Sequence, residues 1–145
     1  MRLADIMTKR VERVSPADTP EHARSLMRLH RIRHLVVTVD HQIAGLLAED
    51  DLRTKDADEA ESVEPLMTRK VVTAPPDLTV RKAANLLRGS TVGALPVVKS
   101  GHLVGIVTVS DLLELVGKGS ERPVQKGKRW ILRDRGIRPK QARPR

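Results

Sequence analysis

The 145 residues predict an α+β fold: two tandem β-α-β-β-α units related by a pseudo-twofold axis, followed by a basic C-terminal tail. Three observations lead there. The chain repeats itself. A shift of 60 positions, with no insertion, pairs Met7 with Met67, Thr8 with Thr68, Pro16 with Pro76, Thr19 with Thr79, Leu35 with Leu95, Gly45 with Gly105 and Asp51 with Asp111. Self-similarity at a fixed period marks stacked supersecondary units, and two copies make a pair rather than a solenoid. Within each copy, a stretch of helical periodicity precedes two β-branched runs joined by a tight turn. Finally, each copy has only about 60 residues, a size at which burial is marginal alone, so the copies are expected to share a core.

In the first unit, residues 1–10 read as a short helix or extended lead, with Leu3, Ile6 and Met7 at helical spacing, and Val11–Val14 as a short strand. Ser15-Pro16 is a turn, and Thr19-Pro20 is a helix N-cap with proline at the first helical position. Ala23, Leu26, Met27 and His30 then mark one face of a helix over 20–30. Leu35–Val39 and Ile43–Ala48 form a hairpin around Asp40-His41, and a helix runs from Asp50 to about Asp56. Residues 57–64, with Asp56 before them, hold five acids and no base, and read as a solvated acidic linker between units 1–56 and 65–116.

The second unit repeats the plan. Val71–Thr73 is a strand candidate, Pro75-Pro76 a stop and Thr79 the helix cap. Val80, Ala83, Ala84 and Leu87 form the buried helix face, and Gly89 ends it. Leu95–Lys99, the Ser100-Gly101 turn and Leu103–Val109 make the second hairpin. A last helix runs from Asp111 to Val116, with Ser110 as its N-cap. The stretch Gly105-Ile106-Val107-Thr108-Val109-Ser110-Asp111 is a buried strand running into a helix start. A hydroxyl (Thr108) and a carboxylate (Asp111) at its mouth suit a sugar diol, and the free N–H groups of the helix start suit a phosphate. The alternative is that Asp111 only complements the helix dipole while Thr108 packs.

The order Leu66-Met67-Thr68, Val71, Pro76, a helix, Leu95-Pro96-Val97-Val98 and Gly105–Asp111 resembles a CBS domain, named after cystathionine β-synthase. Two in tandem resemble a CBS pair, or Bateman module, over roughly residues 3–116. The resemblance implies a non-catalytic regulatory module that binds an adenosine-containing ligand between the repeats. It implies that Thr108 and Asp111 hold the ribose and that Val71, Thr73, Ala94, Leu95 and Pro96 wall in the adenine. Ala48 replaces Thr108 in the first copy, so Asp51 marks a degraded second site. Arg31, Arg33 and His34, just before the first hairpin, are the candidate phosphate contacts; a solvated loop is the other reading.

Composition narrows the function classes. There is no cysteine, hence no disulfide, thiolate nucleophile or cysteine zinc site. The five histidines show no metal spacing, and no Gly-x-x-x-x-Gly-Lys phosphate loop occurs. No catalytic residue, metal or cofactor is therefore expected, and an adenine nucleotide would be a regulatory ligand. No signal-length apolar run opens the chain and none approaches a membrane span, so a cytoplasmic protein is expected. The net charge of +9 is unevenly placed. From Gly117 onward there are eleven basic and two acidic residues, which leaves positions 1–116 neutral. Trp130, in Lys128–Arg133, is the only aromatic residue and a candidate docking point of a largely extended tail over 117–145. Any base bound by the rest of the chain must therefore sit between aliphatic groups rather than stack on aromatics.

Two function readings follow. The first is a sensor of an AMP-, ADP- or ATP-like nucleotide that forms a homodimer and regulates a partner protein. The second is a nucleic-acid- or ribosome-associated protein that makes non-specific phosphate contacts through its tail, with the paired repeats as a dimerisation scaffold. The resemblance implies the homodimer, and the apolar faces expected beside Leu52 and at Leu112-Leu113 favour it.

Overall fold

The computed structural model describes residues 1–119. Its elements in chain order are α1 (Leu3–Ile6), β1 (Arg13–Val14), α2 (Pro20–His30), β2 (His34–Val39), β3 (Gln42–Ala48), a 3₁₀ turn (Glu49–Leu52), α3 (Lys55–Glu59), a second 3₁₀ turn (Glu64–Leu66), α4 (Val80–Arg88), β4 (Ala94–Lys99), β5 (His102–Thr108) and α5 (Val109–Gly119). The two-repeat α+β plan is present. Thr19 and Thr79 cap α2 and α4 as predicted, their hydroxyls accepting from His22 N at 3.1 Å and Lys82 N at 3.3 Å. Met1–Leu113 form one unit and Glu114 begins a second. Of the second, the described part is the end of α5, where Lys118 Nζ donates to Glu114 at 2.6 Å and holds that exposed carboxyl below its ordinary pKa.

The hairpins agree in detail. β2–β3 and β4–β5 are antiparallel, with Leu35 opposite Leu47 and Leu95 opposite Val107. A register shift between Val37 and Thr38 recurs between Val97 and Val98. Asp40, His41, Ser100 and Gly101 all have positive φ, as a two-residue type I′ turn requires.

Four expectations are corrected. Val71–Thr73 is not a strand. β1 lies parallel to β2, and Val36 N there donates to Glu12 O at 3.3 Å. The residue at the matching position of β4 is Pro96, which has no N–H to return, so only the Ala74–Val97 bridge forms. The predicted helix over 50–56 is instead the 3₁₀ turn followed by α3, because the Thr54 hydroxyl caps Ala57 N at 3.1 Å and restarts the helix. Residues 57–64 are not a solvated linker: Ala57 and Val63 are buried while the acids point outward, and Val63 N donates to Asp18 O at 2.9 Å. Helix α5 starts at Val109 with Thr108, not Ser110, in the capping position, and runs past Val116 to Gly119. Residues 117–119 of the predicted tail are thus helical; the rest of the tail, Trp130 included, lies outside the described residues.

Packing joins the repeats by exchange. The segment before each repeat belongs to the other repeat's core. Leu3 is buried with Ala83, Leu87, Leu95 and Val107 of the second repeat, whereas Val63 and Met67 are buried with Ala23, Met27, Leu35 and Leu47 of the first. The backbone bonds match under the 60-residue shift: Leu3 N to Leu78 O and Ala4 N to Pro76 O, against Val63 N to Asp18 O and Glu64 N to Pro16 O. A third cluster of Val36, Leu46, Ala94 and Ile106 draws one residue from each of the four hairpin strands.

The crossing points explain the paired glycines. Thr8 bridges Ile106 and Thr68 bridges Leu46, each beside a glycine. A Cβ on Gly45 would stand 2.8 Å from the Thr68 carbonyl oxygen, which the backbone holds in place. On Gly105 it would meet first the Met7 thioether, a flexible group, with the Thr8 carbonyl oxygen at 3.1 Å. Gly45→Ala is expected to destabilise by about 1–3 kcal/mol through overpacking, and Gly105→Ala by less. Urea titrations of both variants check the order; the reverse order would contradict the crossing geometry.

Candidate functional site

Two clefts follow from the exchange, each bordered by one repeat's strand-to-helix turn and by segments of the other repeat. At the first, β5 ends at Thr108 and α5 begins. Asp111 Oδ2 accepts from Thr108 N at 2.8 Å and from the Thr108 hydroxyl at 3.2 Å, and Asp111 N donates to that hydroxyl at 3.4 Å. The pair is a reciprocal cap that fixes both side chains. Among the described residues Asp111 Oδ1 accepts no hydrogen bond, and both side chains are half-buried. The carboxylate is therefore oriented in advance, with one oxygen free for a ligand donor.

The rest of this cleft, about 580 Å³, comes from the first repeat. Thr8, Arg10, Val11 and Glu12 of the lead segment form one side, and Arg31-Ile32-Arg33-His34 another. Val11, Ile32, Ile106 and Val109 supply aliphatic walls. Val109 N donates to Gly93 O at 3.1 Å, tying the helix start to the turn before β4. His34 bridges the repeats through Nε2 and Val92 O at 2.8 Å; a carbonyl only accepts, so Nε2 carries the hydrogen.

Thr108, Asp111, Arg31, Arg33 and His34 are thus brought together. Val71, Thr73, Ala94, Leu95 and Pro96 are not part of this lining. Val71 packs on the cluster between the hairpins, and Thr73 is exposed. Ala94, Leu95 and Pro96 are buried in β4, with Leu95 inside the second repeat's core. Thr8, Val11 and Ile32 line the cleft without having been predicted. The repeat pairs Thr8 with Thr68, but that pairing gives no hint that each lead crosses to the other repeat.

The second cleft, about 500 Å³, is built on Ala48 and Asp51. Asp51 Oδ2 accepts from Ala48 N at 2.8 Å, the same cap without the hydroxyl. Thr68 and Thr91-Val92 stand where Thr8 and Arg31-Ile32 stand in the first cleft. Electrostatics separate the two. The second holds Glu49, Asp50 and Asp51 against Arg53, paired to Glu49 at 3.0 Å and Asp50 at 3.5 Å, and Arg33, which with His34 lines both clefts. In the first, Arg10 and His30 both reach Glu12, at 3.5 and 3.3 Å, while Arg31 and Arg33 make no ion pair among the described residues. Charge therefore suits an anion better in the first cleft, lined by three arginines and two acids, than in the second, lined by two arginines and three acids.

The family model described as CBS domain matches twice, over residues 3–58 and 61–118. The chain belongs to the CBS-domain family. This CBS pair is 33% identical over 112 residues to the CBS domain-containing protein YhcV of Bacillus subtilis, covering 74% of this chain and 80% of that protein. It is 34% identical over 109 residues to an inosine-5'-monophosphate dehydrogenase of Thermoplasma acidophilum, covering 74% of this chain but 22% of that enzyme. It spans about a quarter or less of the length of the enzymes among its relatives. Among solved structures, the CBS domain pair of protein MJ0100, in complex with 5'-methylthioadenosine and S-adenosyl-L-methionine, superposes with a TM-score of 0.75 at 28% identity, covering 81% of this chain and all of that one. Among the described residues, no helix is long and apolar enough to cross a membrane.

Proposed function

We propose that this CBS pair is a non-catalytic regulatory module that senses an adenine nucleotide in the Thr108/Asp111 cleft. The observation that carries the reading is the joining, in one cleft between repeats, of a pre-oriented carboxylate, aliphatic walls and two guanidinium groups that make no ion pair among the described residues. Asp111 Oδ1 accepts from a ribose hydroxyl, Val11, Ile32, Ile106 and Val109 flank the base, and Arg31 and Arg33 attract phosphate. The adenosine-type ligands of the similar MJ0100 pair support the nucleoside part. A thermal-shift screen of adenosine, AMP, ADP, ATP, NAD and S-adenosylmethionine, followed by calorimetry, tests it. A ligand at a hundred times its Kd stabilises by about 2.7 kcal/mol, a clear rise in melting temperature. No shift by any of them at millimolar concentration would sink the sensor reading.

The same reading takes the protein to be a homodimer. Leu52 offers no apolar face, since it is buried. Exposed apolar side chains occur on both repeats, Leu29 and Val39 on the first and Leu86, Val109 and Leu113 on the second; Val109 and Leu113 stand one turn apart on α5. Light scattering is expected to give twice the 16.1 kDa chain mass, and Leu113→Glu to return the chain to a monomer. A monomeric parent at micromolar concentration would refute the dimer.

The charge beyond Gly117 favours a second reading, contact with nucleic acid or the ribosome through the tail. Salt-sensitive RNA binding that disappears on truncation after Gly119 would support it; binding unchanged by truncation would exclude it.

A further inference from the structure

A groove of about 680 Å³ lies against the nucleotide cleft, across the Arg31-Ile32-Arg33 segment that lines both. Five arginines surround it, Arg24, Arg28, Arg31, Arg33 and Arg53, with Glu49 the single acid. Two are already engaged: Arg24 donates to Leu52 O at 2.9 Å and approaches Asp58 at 3.6 Å, and Arg53 pairs with Glu49 and Asp50. Arg28, Arg31 and Arg33 have no acidic partner among the described residues. The fold does not demand this cluster. At the positions 60 residues on stand Ala84, Arg88, Thr91, Gly93 and Leu113, so four of the five arginines have no basic counterpart in the second repeat. Arg31 also adopts left-handed backbone geometry (φ 55°, ψ 47°) at the end of α2, a position where glycine is the unstrained choice. Unpaired guanidinium groups held together against their mutual repulsion match a ligand carrying several negative charges in a row.

We propose that this groove is a polyphosphate subsite: it takes the β- and γ-phosphates of a nucleotide whose nucleoside lies in the Thr108/Asp111 cleft, with Arg31 and Arg33 contacting the chain between the two. The ligand class is then a nucleoside di- or triphosphate rather than a monophosphate or a sulfonium nucleoside. This rests on the nucleotide reading above, and the experiment separates the two.

Calorimetric titration in magnesium-free buffer compares AMP, ATP and inorganic tripolyphosphate on the full chain, on Arg28→Glu and on Arg88→Glu. Both positions are exposed, so folding is spared. ATP is expected to bind at least about tenfold tighter than AMP, the gain expected of one charge-assisted contact or more. Arg28→Glu should erase that advantage and leave AMP within about twofold of the parent, while Arg88→Glu changes neither; tripolyphosphate should compete with ATP. Equal affinities for AMP and ATP, with Arg28→Glu silent, would overturn the subsite and leave the nucleoside cleft standing. Tripolyphosphate binding abolished by Arg28→Glu, without affinity for any adenine ligand, would keep the groove as an anion site and overturn the nucleotide reading. Equal losses from Arg28→Glu and Arg88→Glu would reduce the effect to overall charge and refute the subsite.

Discussion

Truncating Leu3 to alanine is expected to lower stability by about 2–5 kcal/mol, the range for a fully buried leucine. Leu3 is fully buried among second-repeat residues, and its own N–H donates to Leu78 O at 2.9 Å. Denaturant unfolding measures the loss. Leu29→Ala, at a position 73% exposed, serves as the control and should stay within about 0.5 kcal/mol of the parent. If Leu3→Ala proves as mild as the control, the exchange of lead segments between repeats is wrong.

Asp111→Asn is expected to weaken the best nucleotide by about tenfold to a hundredfold, the equivalent of roughly 1.5–3 kcal/mol for a hydrogen bond to a charged group. Asparagine still offers an oxygen to Thr108 N, so most of the cap survives while the charge goes. Asp111→Ala should lose the same affinity and, in addition, about 1 kcal/mol of stability with the cap. Thr108→Ala should weaken binding only a few-fold, because its hydroxyl is already shared with Asp111. Asp51→Asn should change affinity little: its cleft lacks the hydroxyl and sets three acids against two arginines, of which Arg53 is already paired with Glu49 and Asp50. Calorimetry of the variants, each with its melting temperature, gives the comparison. Equal losses at Asp51 and Asp111 would mean that both clefts bind and would remove the one-site reading.

Much of the site was legible because its chemistry is local. Thr108 and Asp111 are three residues apart on one strand-to-helix turn, so their cap follows from helix geometry alone. The replacement of Thr108 by Ala48 likewise needed only the repeat. The residues expected to wall in adenine lie outside the lining of the Thr108/Asp111 cleft for the opposite reason. Val71, Thr73 and Leu95 belong to the same repeat as Thr108, and periodicity has no means of saying that the neighbouring wall is borrowed. Leu95 and Pro96 are apolar because they are core, and an apolar run reads alike whether it faces a cavity or a neighbouring side chain. The acidic stretch misled similarly: its charges point to water while Ala57 and Val63 turn inward, a division that composition averages away.

By itself the sequence determined the doubled α+β plan, the hairpin turns, the helix caps at Thr19 and Thr79, the neutral repeats with their basic continuation, and the inequality of the two turns at Ala48 and Thr108. Each is a property of residues a few positions apart, or of two copies compared in register. Only the tertiary structure decided that each repeat completes its core with the segment preceding the other. It thereby decided that Arg31 and Ile32 share a cleft with Asp111, whereas Thr91 and Val92 share one with Asp51, Arg33 lining both. The physical reason is burial. Each repeat alone leaves apolar surface that its own lead does not cover in this arrangement, and exchanging the leads seals both cores at once while setting the two clefts along the seam.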